Sequence, residues 1–134
     1  MTNHATGLAA IQSLNYTILL CKDVAAARAF YADILGFKVL EDFENWVRFA
    51  VGSNSLALRP RGPWFNWHDG ELASDSAAVH LAFCVPLRDM EACHDRLAEK
   101  GVEILQEPIS HDWGHRTLFF KDNEGNILEI YAEL

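Results

Sequence analysis

Apolar positions along the chain switch between two periods, and they do so twice in the same order. Residues 14–21 form an apolar, strand-like run that ends at Lys22-Asp23. Asp23 is a helix N-cap candidate, and Val24, Ala27, Phe30, Tyr31, Ile34 and Leu35 then recur at helical spacing. Gly36 supplies a C-terminal stop and residues 37–40 restart a strand. The order returns from Ala78. Residues 79–85 are apolar, Asp89 is a second cap candidate, Met90, Cys93 and Leu97 share a helical face, Gly101 stops it and residues 102–105 restart a strand. Each half continues with two more strands, at 46–51 and 55–58 in the first and at 116–121 and 126–131 in the second. Gly52-Ser53-Asn54 and Asp122-Asn123-Glu124-Gly125 are the turns between them. The pattern is βαβββ repeated, an α+β architecture. It predicts one domain, 1–134, built of modules at about 14–59 and 78–131 joined by a linker, 60–77.

Composition agrees with a folded domain. The chain has 134 residues, half of them hydrophobic and 22% charged, which is enough apolar surface to offset the entropy of ordering. Its formal charge of -8 argues against a nucleic-acid partner and against an acidic membrane surface. The three cysteines are odd in number and form no CxxC pair, so reduced thiols and a cytoplasmic location are expected. No signal peptide is expected at the N-terminus, and no run approaches the roughly 20 apolar residues that span a bilayer.

Two polar residues interrupt apolar strands. His80 stands in Val79-His80-Leu81-Ala82-Phe83 and Glu129 in Ile127-Leu128-Glu129-Ile130-Tyr131. A buried carboxylate is costly unless it is paired or bound to a cation. If the first and last strands of a βαβββ unit lie side by side, His80 and Glu129 become neighbours. Imidazole and carboxylate together suit a divalent metal ion; they equally suit a plain His–Glu hydrogen bond lining a polar cavity. Aligning the two halves places Tyr16 opposite His80 and Ala57 opposite Glu129.

The sequence resembles the vicinal oxygen chelate superfamily of glyoxalases, bleomycin-resistance proteins, fosfomycin-resistance proteins and extradiol dioxygenases. The resemblance runs over about residues 14–131. It is carried by Phe30-Tyr31-Ala32-Asp33-Ile34-Leu35-Gly36-Phe37, by the strand holding His80, and by Gly114-His115-Arg116 through Asp122-Asn123-Glu124-Gly125-Asn126-Ile127-Leu128-Glu129-Ile130. It implies a cupped mixed sheet with helices outside, a homodimer, and a divalent ion (Zn, Ni, Mn or Fe) as cofactor. His80 and Glu129 match the family's ligand positions. Tyr16 stands where the first histidine belongs, as a third ligand or as an aromatic filling the space of one, with His68, His111 and His115 as spare histidines; Ala57 stands near a fourth ligand of some members, so a metal-free site is the alternative. Glu129 would serve as ligand or as catalytic base.

The remaining candidates are aromatic and basic. Arg59, Arg61, Trp64, Trp67 and His68 lie in or beside an apolar, proline-bracketed linker that reads as a ligand lid or as a dimer contact. Trp46, Trp113 and Arg116 complete the expected substrate-binding set, Arg116 because related proteins often carry Gly-x-Arg there. Two functions follow: metal-dependent lyase or dioxygenase chemistry on a small molecule, or metal-free sequestration of an aromatic or cationic compound.

Overall fold

The computed structural model describes residues 5–73 and 76–134. Residues 1–4 and 74–75, parts of the N-terminal segment and of the linker, lie outside the described residues. The first half runs β1 (Tyr16–Cys21), α1 (Val24–Ala29) with a π-helical turn over Phe30–Ile34, β2 (Lys38–Phe43), β3 (Trp46–Val51) and β4 (Asn54–Pro60). The second runs β7 (His80–Cys84), α2 (Met90–Glu99), β8 (Ile104–Ser110), β9 (His115–Lys121) and β10 (Ile127–Glu133). Between them the linker, which shows no periodicity, folds into a short hairpin of β5 (Pro63–Trp64) and β6 (Trp67–His68).

The strands form two four-stranded sheets, β1-β4-β3-β2 and β7-β10-β9-β8, each with its first strand at an edge and parallel to its last. The register repeats as the aligned halves require. Tyr16 pairs with Ser55 and Ile18 with Ala57, while His80 pairs with Ile127 and Ala82 with Glu129. Period-two alternation then sorts side chains between two faces. Leu19, Cys21, Val47, Phe49, Leu56 and Leu58 of the first sheet point to the helix-covered side, as do Leu118, Phe120, Leu128, Ile130 and Ala132 of the second. They join Phe30, Tyr31, Met90 and Leu97 in one continuous core. The opposite faces, bearing Tyr16 and His80, are open.

Several contacts tie the halves together, among them an aromatic pair and a capped turn. Phe37 and Phe83 pack with ring centroids 5.5 Å apart. The Glu124 carboxylate, in the β9–β10 turn, accepts hydrogen bonds from the Lys22 and Asp23 amides, both at 2.9 Å. Burial, with the neighbouring carboxylates of Glu124 and Asp122, pushes the Cys21 thiol up to about 12, so it is an inert core group.

The two cap candidates behave differently. Asp23 Oδ1 accepts the Ala26 amide at 2.9 Å, as an N-cap should. Asp89 makes no cap bond, because a 3₁₀ turn over Leu87–Asp89 leads straight into α2. Asp23→Ala is therefore expected to cost about 1 kcal/mol in urea unfolding, and Asp89→Ala clearly less. At the far end Gly101 takes φ +71°, a left-handed conformation that favours glycine, and the Val102 amide closes on Leu97 O at 3.0 Å.

A second strap joins α2 to β8. His94 Nδ1 lies 3.1 Å from Asp95 Oδ1, and its Nε2 contacts the Glu107 carboxylate. The Asp95 hydrogen bond, then the Glu107 charge, hold the imidazole above its ordinary range. A raised histidine pKa stabilises below the unfolded value of about 6.5 and is lost as pH rises through the folded one. Melting temperatures from pH 6 to pH 9 should fall less steeply in His94→Gln than in the parent; equal slopes would dismiss the strap.

Candidate functional site

β7 and β10 are neighbours, so their outward residues share one open face. His80 begins β7, and Glu129 lies one pleat further along β10, opposite Ala82 on one side and Phe119 on the other. His80 Nε2 and Glu129 Oε1 are 2.9 Å apart. The imidazole is 51% exposed and the carboxylate 15%. Phe119 walls the pair, its ring centroid 5.7 Å from that of His80. The arrangement can exchange a proton between imidazole and carboxylate, or receive a cation from the open side.

The same face continues into a row of functional groups. Tyr131 shares the outward side of β10 with Glu129, and the His115 ring stacks on it with centroids 4.8 Å apart. The neighbouring Cys84 thiol, then burial and the charges of Glu133 and Glu129, hold the Tyr131 phenol above its usual range. Cys84 is exposed on the same face. His111 bonds Thr117 Oγ1 at 2.7 Å and stacks on Trp113 at 4.0 Å, which fixes both at the rim.

Tyr16 stands apart, on the open face of the other sheet. It is 51% exposed, and the Arg48 guanidinium lies 5.7 Å from its ring centroid. Arg48 in turn bonds Glu41 and Ser55, and the Trp46 indole donates to the same Glu41 oxygen at 3.1 Å. Trp46 thus belongs to the Tyr16 side of the molecule. Ala57 is fully covered, between Arg48 and Ile18 in register. Among the described residues, no group of three His, Cys, Asp or Glu side chains could hold a metal ion.

The other expected binding residues are already engaged. Arg59 is buried and pairs bidentately with Asp69, at 2.7 and 2.8 Å, and holds that carboxyl well below the usual carboxylate range. Its guanidinium carbon lies 4.6 Å from the Trp64 ring centroid. Trp64 pairs with Trp67 across the hairpin, whose turn forces Phe65 to φ +52° and leaves it 88% exposed. Arg116 points to the helix side of β9, where it meets Glu91 of α2 at 2.8 Å. Phe119, Cys84 and Asp69 are the neighbours that the sequence does not single out, whereas His115 is one of its spare histidines. The outward alternation of β7 and β9 marks the first two; Asp69 carries no local signal.

The chain belongs to the Glyoxalase/Bleomycin resistance protein/Dioxygenase superfamily, whose family model matches residues 13–130. It is 32% identical over 133 residues to the uncharacterized protein YwkD of Bacillus subtilis (strain 168), covering 92% of this chain and 98% of that protein. It is 27% identical over 122 residues to the metallothiol transferase FosB of Staphylococcus haemolyticus, covering 91% and 84%. The fold is shared with a crystal structure of a glyoxalase/bleomycin resistance protein/dioxygenase from Nocardioides, with a TM-score of 0.80, 20% identity and coverage of 92% and 85%.

Proposed function

We propose that this protein acts on a small molecule at the His80–Glu129 face, as a divalent-metal-dependent enzyme of the glyoxalase type. The observation that carries the reading is a histidine and a glutamate 2.9 Å apart on an open sheet face, with the imidazole half exposed. A structural ion pair gains little from such exposure. The similarity to a metallothiol transferase supports a metal-using relative.

The donor set fits a divalent ion in part. His80 Nε2 and Glu129 Oε1 would be two ligands on one wall, and the third would be Tyr16 from a first sheet. Within the chain Tyr16 and His80 sit on different sheets, each half exposed, and five cavities of 60 to 530 Å³ are lined by other residues. We therefore infer a homodimer in which the first sheet of one copy faces the second sheet of another. Both edge strands, β1 and β7, have a single neighbour, and Tyr16 and Ile18 leave apolar surface exposed on the first face.

When bound, the ion would supply Lewis acidity toward two adjacent substrate oxygens. Glu129 would hold or move a proton, Phe119 would exclude water from one side, and Trp46, Trp64, Trp67 and Trp113 would offer flat apolar contact. Arg59 and Arg116 would position that shell through Asp69 and Glu91 rather than touch substrate.

Tyr16 and Ala57, at positions where the family carries ligands, favour a second reading: a metal-free pocket that sequesters an aromatic or cationic compound. Elemental analysis of untagged protein purified without chelator separates the two. Near-stoichiometric zinc, nickel, manganese or iron is the expected result. No metal, and none taken up from a panel of divalent ions, would sink the enzyme reading in favour of sequestration. Sedimentation should show a dimer, and a monomer would dismiss the shared site. Three free thiols and the absence of a membrane-length apolar helix among the described residues support a cytoplasmic location.

A further inference from the structure

Carboxylates neutralise most arginines of this acidic chain. Arg28, Arg48, Arg59 and Arg116 pair with Asp42, Glu41, Asp69 and Glu91. Lys22, just after β1, and Arg61, just after β4, have no ion-pair partner among the described residues. Both line one cavity of about 530 Å³, together with His68, Glu71, Pro63 and Leu72. None of these belongs to the His80–Glu129 face.

The cavity is built on a rigid floor. The Arg61 amide donates to Cys21 O at 2.8 Å, the Gly62 amide to Asp69 Oδ2 at 3.1 Å, and the Asp69 amide to Gly62 O at 3.0 Å. The buried Arg59–Asp69 pair clamps the base of the hairpin behind them. His68 is oriented too. Its Nδ1 accepts the Gly70 amide at 2.9 Å, which leaves the proton on Nε2. That Nε2 faces Gly62, where an added Cβ would meet it at 4.0 Å. Two cations and an N–H donor thus surround a space large enough for a metabolite. Glu71 adds an acceptor, while Pro63 and Leu72 add apolar wall.

We propose that this cavity binds a small organic oxyanion, a phosphate monoester or a carboxylate, that also carries a hydroxyl or ammonium group. Lys22 and Arg61 take the oxyanion, His68 donates to it, and Glu71 accepts from the hydroxyl or ammonium. On a chain of formal charge -8, an anion meets long-range repulsion. Binding there accordingly depends on these local donors, and bare inorganic phosphate, which offers Glu71 no compensating organic group, binds more weakly than its glycerol ester.

The test is calorimetric titration of the full chain with inorganic phosphate, glycerol 3-phosphate and glycerate. Saturable binding of either organic anion is expected, and the tighter of the two identifies the headgroup as phosphate or carboxylate. Arg61→Ala and Lys22→Ala should each weaken it roughly tenfold or more. Glu71→Gln should strengthen binding of inorganic phosphate by removing a like charge. Lys38→Ala, an exposed lysine on β2, and His80→Ala should leave binding unchanged. Thermal melts and Arg61→Lys, which keeps the charge, guard against misfolding. No saturable binding up to about 10 mM, unchanged binding in both Arg61→Ala and Lys22→Ala, or loss in His80→Ala would each overturn the assignment. The metal analysis above does not depend on this cavity, so either result can fail alone.

Discussion

Replacing Asp122 by alanine should lower the unfolding free energy by about 3–5 kcal/mol, the largest loss expected from any single polar residue here. The carboxylate is buried at the β9–β10 turn and accepts four hydrogen bonds. Tyr31 OH and Asn126 Nδ2 reach Oδ2 at 2.6 and 3.0 Å, and the Glu124 and Asn126 amides reach Oδ1, both at 2.9 Å. Tyr31 is fully buried and Asn126 nearly so, so truncation strands donors that water does not reach. The network also crosses between the halves, because Tyr31 rides on the π turn after α1 and Asp122 closes the second sheet. Tyr31→Phe removes one donor and leaves the carboxylate three others, so it should cost only about 1–2 kcal/mol. Urea unfolding of both variants and of the double variant measures the coupling. A loss below about 1 kcal/mol in Asp122→Ala would show that the turn is held by its backbone alone. Burial, followed by the Asp122 charge and hydrogen bond, holds the Tyr31 phenol far above its ordinary range. It should therefore stay silent in an ultraviolet titration that ionises exposed tyrosines.

The repeat was legible because it is written in periodicity, and periodicity dictates which face each residue takes. The alignment that sets Tyr16 against His80 and Ala57 against Glu129 reproduces the observed strand registers in both sheets. The π turn after α1 was not legible, nor was the 3₁₀ entry to α2, since both are settled by how a helix end meets the core rather than by local spacing. The hairpin inside the linker was missed for a different reason. Its strands are two residues each, too short to show alternation, and a remote ion pair between Arg59 and Asp69 fixes its base. Of the site, the His80–Glu129 neighbourhood follows from strand order alone. The partners that occupy Arg59 and Arg116 do not, because Asp69 and Glu91 come from the linker and from a helix whose packing no strand pattern reveals.

Removing either member of the His80–Glu129 pair should have unequal weight for stability and equal weight for function. In His80→Ala the carboxylate, only 15% exposed, loses the one hydrogen bond it makes among the described residues, which should cost about 1 kcal/mol. In Glu129→Ala the imidazole, half exposed, is left to water, and the change should stay within about 0.5 kcal/mol. Metal affinity should nevertheless fall on the order of 100-fold or more in both, since each removes one of the two donors on this wall and even outer-shell partners are worth 10- to 100-fold. Ligand affinity should drop with it if the ion orients the substrate. Paired urea unfolding and metal-uptake titrations on the two variants give the comparison. Stability that falls in both with metal uptake intact would mark the pair as a structural hydrogen bond. Uptake lost in both, with only His80→Ala destabilised, is what a site retained for its chemistry should give, because the largely buried carboxylate is then tolerated for what it binds rather than for what it holds together.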